Sequence, residues 1–294
     1  MALLDLLRAR LGPPGEDNPA RRASRRAWRE VSGRLLAPVL NHRVALDGAP
    51  VVGFLAELYP EARDFALPLA EVQDLNRAWN RYKRGTQIAA LGYRIHPFYG
   101  VYAPSRAEHL ELFATWLSGY RGPRQVAVDV GTGSGVLALL IAKAGFAEVL
   151  ATDLNPNAVE GVRRQLARAT EPPPVSVRQA DLLGGAGPLA DLIAFNPPWT
   201  EGPIDTPLDA ALYYPPDLFP RFFDQALARL SPEGRVVLVF SDVIRLVQPD
   251  SPHPIDAELA RGRLRLVQRL RRKVHPPKGS RTRERVEVWE LARA

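Results

Sequence analysis

The residues Val126-Ala127-Val128-Asp129-Val130-Gly131-Thr132-Gly133-Ser134-Gly135-Val136 decide the architecture. The first five read as a short buried strand, the glycines as a sharp turn, and 135–144, apolar almost throughout, as a helix. Glycine lets such a turn take left-handed backbone angles and lets a ligand approach without meeting side chains, with helix N–H groups behind it. Beyond this point strand and helix alternate. Strands are predicted over 148–152, 175–179, 191–195 and 236–240. One intervening helix is marked by Val159, Val162 and Leu166, another by Leu218, Phe219, Phe222, Phe223, Ala226, Leu227 and Leu230. That alternation predicts an α/β domain, a parallel sheet with helices on both faces. Strand-like pieces at 264–270 and 286–291 are predicted to pair as a terminal hairpin.

Upstream the text differs. Asn18-Pro19 reads as an N-cap and first helical position, opening a helix with Arg21, Arg22, Arg25, Arg26 and Arg29 on one stripe. The stripe is a solvated face first and a phosphate-contacting one second. Val72, Leu75, Trp79 and Tyr82 recur at helical spacing and are assigned to a core face rather than to base stacking. Between Gly85 and Pro104 short apolar and aromatic pieces broken by Gly92, Pro97 and Gly100 predict hairpin-like extended structure. The resulting division is a mostly helical N-terminal domain over 1–84, assigned to substrate recognition, a hairpin-like connector over 85–104, and a catalytic domain over 105–294. Ser105 through Glu108 fits a capping box, which gives Glu108 a structural task before any catalytic one.

Composition excludes several classes. The 294 residues, 46% hydrophobic and 24% charged, are ordinary globular values. No cysteine is present, which removes disulfide frameworks, cysteine zinc sites and thiol nucleophiles. Without a secretory pattern at Met1, the expected compartment is the cytoplasm. No apolar run approaches the ~20 residues of a membrane span. His42, His96, His109, His253 and His275 are scattered without ligand spacing, so no metal site is expected. His96 and Tyr99 fall near the expected substrate entrance, where burial or a surface position is the plainer assignment. The net charge of +7 is the least ordinary number, and only four of the 39 cations are lysine. Arginine richness reads either as a phosphate-binding surface or as a coding bias. The charge concentrates in 261–285, which has eleven Lys or Arg and one acid, Glu284. That run is either the charged edge of a hairpin or a loop contacting RNA phosphates.

The chemistry sits at the ends of the strands. Asp153 follows Gly131 by roughly 20 residues and closes the second strand, where a carboxylate can accept both hydrogens of a ribose diol. Glycine loop and acid together imply an adenosine-containing cofactor. The Gly-x-Gly-x-Gly spacing, with no phosphate-binding lysine after it, disfavours NAD and ATP. Asp181, just past the third strand, either meets an adenine amino group or caps a turn. Asn196-Pro197-Pro198-Trp199 follows the fourth strand. Two prolines remove backbone donors and hold an extended path, so the Asn196 side-chain oxygen and the Pro197 carbonyl form two convergent acceptors for a planar NH₂ group. Trp199 adds a flat face for stacking. An amide or aromatic amine is a poor nucleophile, and acceptors on both N–H groups help more as positive charge builds on nitrogen.

With these residues in view, 125–240 resembles the class I S-adenosylmethionine-dependent methyltransferases, on Val128 to Gly135, Ala151-Thr152-Asp153-Leu154-Asn155-Pro156 and Asn196 to Trp199. The resemblance implies a Rossmann-like seven-stranded sheet with its final strand antiparallel. It implies S-adenosyl-L-methionine as cofactor, its methionine part held by Asp129, Gly131, Thr132, Gly133 and Gly135, its ribose by Asp153 and Leu154, its adenine by Asp181 and Leu182, with Asn196 alongside. Asn196, Pro197 and Trp199 would carry catalysis. The last motif resembles that of methyltransferases acting on glutamine side chains or base amino groups. The whole-chain plan is similar to release-factor glutamine methyltransferases, although 103–108, Trp199 and the loop 200–216 depart from that family's pattern. The expected activity is N-methyl transfer to an exocyclic amino or amide nitrogen, with an RNA base placed ahead of a protein glutamine. A noncatalytic cofactor- or RNA-binding module is the remaining alternative, and the paired acceptors argue against it.

Overall fold

A computed structural model describes residues 9–12, 18–104, 106–185, 187–204, 212–275 and 284–294. The chain divides into two units, Met1–Arg84 and Gly85–Ala294.

In the first unit the helix Asn18–Ser32 carries the arginine stripe, although the side chains of Arg21, Arg22, Arg25 and Arg29 lie outside the described ones. The helix Leu69–Arg84 buries Val72, Leu75 and Tyr82, and Trp79 meets Phe54 edge-on at 5.0 Å, so these aromatics are core. The unit also holds a three-stranded antiparallel sheet that sequence reasoning does not foresee. β1 (Leu36–Leu40) lies between β2 (Arg43–Val44) and β3 (Phe65–Pro68). Asn41 and His42 join β1 to β2 with φ of 50° and 57°, the two positive values that a tight hairpin turn requires.

The second unit opens on the hairpin β4 (Thr86–Ile88) and β5 (Tyr93–Ile95). The helix expected from the capping box starts at Glu108, with Ala107 before it and no side-chain cap. Glu108 is therefore the first helical residue rather than the third, and Ser105 lies outside the described residues. Glu108 Oε1 instead accepts the backbone N–H of His275 at 3.1 Å.

Seven strands form one sheet: β6 (Val126–Val130), β7 (Glu148–Asp153), β8 (Val175–Gln179), β9 (Ala190–Phe195), β12 (Leu230–Ser241), β13 (Leu264–Lys273) and β14 (Arg285–Arg293). Their order is β13-β14-β12-β9-β6-β7-β8, and β14 alone runs against its neighbours. This is the Rossmann-like seven-stranded sheet with a reversed final strand that the resemblance implies. Two-residue β10 (Thr200–Glu201) and β11 (Tyr213–Tyr214) form a small parallel pair outside it.

Continuous apolar strands arise because both faces are covered. Ala127, Leu192, Ala194, Val237 and Val239 pack beneath Leu110, Phe113, Trp116 and the helix Val136–Lys143. Their chain neighbours Val128, Ile193, Phe195, Val236 and Leu238 face Phe219, Phe222, Phe223 and Ile255 on the other side. The chain leaves β6 for β7 and β8, then returns to β9 on the opposite flank of β6. The crevice at that switch point, beyond the carboxyl ends of the strands, is where open α/β sheets bind ligands.

Acidic residues inside β14 hold the reversed strand. Glu290, 6% exposed, accepts from Trp116 Nε1 at 2.8 Å, Arg235 Nε at 3.1 Å and Gln268 Nε2 at 2.6 Å. Removing a buried acceptor strands its donors, at ~1–3 kcal/mol for each group left unpaired. Glu290→Ala is expected to destabilise the protein by ~3 kcal/mol, read as a lower urea midpoint, with Glu290→Gln losing clearly less. Equal midpoints for the two variants would show that the carboxylate's charge and shape do not matter there.

Candidate functional site

Register places the candidate residues together. Val130 on β6 pairs with Thr152 on β7 and with Phe195 on β9. The next residue on each strand is Gly131, Asp153 and Asn196, so the acid and the amide flank the glycine turn at one sheet edge. Two strand spacings put them ~10 Å apart. Asp153 in turn pairs with Gln179, which brings 180–182 to the same edge.

The turn is braced from below. Asp129 is 1% exposed, and its Oδ2 accepts Thr132 Oγ1 at 2.6 Å and the Ala138 N–H at 3.0 Å. Burial pushes its carboxyl up to about 7, against the two hydrogen bonds that favour the charged form. With no open surface, Asp129 shapes the loop and the helix start and has none to offer a ligand. Gly131, Gly133 and Gly135 have φ of 61°, 53° and 81°, values that side chains with a Cβ resist. A Cβ on Gly135 would also lie 3.0 Å from Val162 Cγ2, whereas one on Gly133 would meet nothing closer than 4.0 Å. The middle of the turn is thus open ground, bare of side chains.

Asp153 is bound to that turn. Its Oδ2 accepts the Gly133 N–H and its Oδ1 the Asn155 N–H, both at 2.8 Å. Burial raises its pKa, offset by those backbone donors. Each carboxylate oxygen keeps a lone pair, which is what a ribose diol needs. Leu154 beside it is 67% exposed, an apolar side chain free to cover a planar ring. Leu182 sits at φ 54°, a strained angle for a branched side chain, and is buried. Asp181 forms an ion pair with Arg221, so its carboxylate is committed to a cation. The bare turn, the doubly hydrogen-bonded Asp153 and exposed Leu154 fit an adenosyl cofactor with an amino-acid tail.

Sequence reasoning missed the connector's part. Asn155 Nδ2 donates to the Gly100 carbonyl at 3.0 Å, the His96 N–H donates to Gln165 Oε1 at 3.0 Å, and the Arg164 guanidinium lies over Phe98 at 4.9 Å. The segment 96–100 therefore lies on the elements that follow Asp153. The signal was Gly100 itself, at φ 71°, legible as a turn but not as a contact.

At the acceptor side Pro197 is buried, and Asn196 and Trp199 are half-buried. Trp199 Nε1 donates to Asn196 Oδ1 at 3.2 Å. His109, from the helix Glu108–Gly119, stands edge-on to the Trp199 ring at 5.6 Å and 85°. The chain leaving Trp199 is tied down: Thr200 Oγ1 donates to the Leu212 carbonyl, and the amide of Gln248 exchanges two 3.2 Å hydrogen bonds with the Glu201 backbone. Glu201, Gly202, Pro203, Ile204, Pro215 and Pro216 line an open, mostly apolar depression directly after the Asn-Pro-Pro-Trp turn. Residues 205–211 lie outside the described ones.

The basic run has a different partner set from the one expected of a phosphate surface. Arg261 and Arg263 pair with buried Glu258, Arg263 also with Asp224, Arg269 and Arg271 with buried Glu287, and Arg272 with Glu111. The Arg269 guanidinium also lies over Trp289 at 3.7 Å. Arg265, Lys273 and Arg285 have no ion pair among the described residues; Lys278, Arg281 and Arg283 fall outside them. Among the described residues, no group of three or more His, Asp and Glu side chains is placed to hold a metal ion, and no helix is long and apolar enough to cross a membrane.

The family model described as methyltransferase small domain matches residues 100–248. A ribosomal protein L11 methyltransferase of Bacillus cytotoxicus is 34% identical over 142 residues, 42% of this chain and 45% of that protein; one from Bacillus anthracis matches equally. The chain thus spans less than half the length of the curated relatives it matches. Among solved structures, a ribosomal protein L11 methylase from Lactobacillus delbrueckii aligns with TM-score 0.47 and 18% identity, over 66% of this chain and 81% of that one. A putative RNA methyltransferase from Pyrococcus horikoshii aligns with TM-score 0.45 and 18% identity, over 70% and 96%. With half of its length matched, motifs included, the chain belongs to the methyltransferase small domain family.

Proposed function

We propose that the protein methylates a planar amide nitrogen on a protein side chain, rather than the exocyclic amine of an RNA base. The carrying observation is the register that sets Asn196 beside the Gly131 turn, with Asp153 on the turn's other flank. In this reading Gly131 to Gly135 and Asp153 hold S-adenosylmethionine, Leu154 covers its ring system, and the backbone around Leu182 approaches the adenine edge. When bound, the cofactor supplies an electrophilic methyl group on sulfonium sulfur. Asn196 Oδ1 and the Pro197 carbonyl accept one N–H each from the nitrogen, fixing its plane and direction. Their attraction grows as the nitrogen becomes cationic, so they lower the barrier more than they tighten binding. Pro197 and Pro198 keep water-like backbone donors away from the acceptor.

A protein acceptor is favoured over an RNA base by the electrostatics. Phosphate affinity scales with the cations free to displace counterions, and five arginines of the 261–273 run are already engaged by carboxylates. The apolar surface of Pro203, Ile204, Pro215 and Pro216 beside the turn supports the same reading. The curated relatives are named for a ribosomal protein. The test is to incubate the protein with methyl-labelled S-adenosylmethionine and separated ribosomal proteins and RNA. Label in protein is the expected result. Label confined to RNA moves the acceptor to a base amine, and label in neither fraction would return the chain to a binding module.

A further inference from the structure

Asn196 as an acceptor raises a problem of orientation. A side-chain amide presents its oxygen or, turned over, its NH₂, and only the first orientation can receive a substrate N–H. The structure assigns this choice to Trp199 and His109: we propose that the indole N–H of Trp199 locks the Asn196 amide with its oxygen toward the acceptor, and that His109 holds the indole in the plane where it does so. The inference rests on the reading of Asn196 as the substrate acceptor.

The indole nitrogen is a donor and nothing else. Facing it, Asn196 Oδ1 makes the observed 3.2 Å hydrogen bond, whereas a turned amide would set two donors against each other. The oxygen has two lone pairs, so the indole takes one and leaves one for the substrate. A tyrosine hydroxyl, donor and acceptor both, would tolerate either orientation, and phenylalanine would favour neither. The fourth position of the Asn-Pro-Pro-Trp turn thus does a task that depends on its nitrogen, separate from its flat face.

His109 explains what fixes the indole. It comes from a different part of the chain, is 4% exposed, and meets Trp199 nearly perpendicularly. Its Nδ1 is buried with no hydrogen-bond partner among the described residues. An orphaned buried polar atom costs stability, so packing alone gives no reason for a histidine there. Burial drives its pKa down to about 4, with Glu108 acting upward and Arg106 downward, so the ring is neutral at ordinary pH. A neutral ring stands beside the indole without competing for the Asn196 oxygen through a charged donor.

The experiment pairs His109→Phe with Trp199→Phe. His109→Phe keeps a ring and removes the orphan, so the melting temperature is expected to rise by roughly 2–4 °C while kcat for transfer falls ~3- to 10-fold. A merely structural role would move both the same way. Trp199→Phe keeps the flat face and is expected to lower kcat at least ~10-fold with KM changing less than ~3-fold, the mark of an interaction that matters in the transition state. Transfer is read from labelled S-adenosylmethionine into whichever ribosomal fraction the wild type labels. A second readout needs no acceptor: the Trp199 indole ¹⁵N–¹H resonance, assigned by its loss in Trp199→Phe, should shift and exchange faster in both Asn196→Ala and His109→Phe. Wild-type kcat in either ring variant, or an indole resonance indifferent to Asn196, overturns the proposal. Full activity in Asn196→Ala would instead overturn the acceptor reading, a distinct result.

Discussion

Asn196→Ala is expected to lower methyl transfer by ~10²–10³-fold and to leave cofactor affinity within about twofold. The magnitude is that of removing one preorganised partner from a site where charge develops in the transition state. The asymmetry follows from position: Asn196 lies beyond β9, on the opposite flank of the Gly131 turn from Asp153. The substitution also strips Trp199 Nε1 of its acceptor, so the aromatic loses its anchor along with the site's oxygen. Single-turnover rates with labelled cofactor, alongside titration with S-adenosylhomocysteine, separate the two quantities. A transfer rate within tenfold of wild type would mean that the nitrogen is held elsewhere.

The complementary change is Asp153→Ala, which should disable binding instead of chemistry. Two backbone N–H groups, on Gly133 and Asn155, lose a charge-assisted partner worth ~1.5–3 kcal/mol each, in addition to any contact with ribose. A fall in S-adenosylhomocysteine affinity of at least ~100-fold is expected. A ligand at a hundred times its Kd stabilises the native state by ~2.7 kcal/mol, and a hundredfold weaker Kd leaves ~0.4 kcal/mol. The thermal shift seen with the wild type should therefore nearly vanish. An undiminished shift would remove Asp153 from the cofactor site.

Much of this was legible in the residues because the relevant signals are local. Val126–Val130 and Val175–Gln179 occupy the spans that their apolar runs predict, and Asp153 and Asn196 stand where strands end. What escaped depends on partners far apart in the chain. β1 contains Pro38, and its turn is Asn41-His42 rather than Asn-Gly, so neither strand nor hairpin announces itself. The arginines of 261–273 look free in sequence because Glu111, Asp224 and Glu287 come from three other places, while Glu258, though near in the chain, is a partner only through its burial. His109 looked like one scattered histidine, since nothing in its neighbourhood along the chain names Trp199. The capping box misled because its residue types match a local pattern that the backbone does not adopt: the helix begins at Glu108.

The reversed strand β14 bears on how the catalytic unit assembles. β13 precedes it in the chain yet touches the sheet only through it, since β14 lies between β13 and β12. β13 therefore joins the sheet only together with β14, as one antiparallel hairpin. Glu287 and Glu290 lie on that hairpin, so Glu287 carries its cations Arg269 and Arg271 with it, whereas Glu290 gains Arg235 only from β12. This couples the pairing of β12 with β14 to the formation of the sheet's electrostatic interior, and makes the hairpin a natural cooperative unit of local opening.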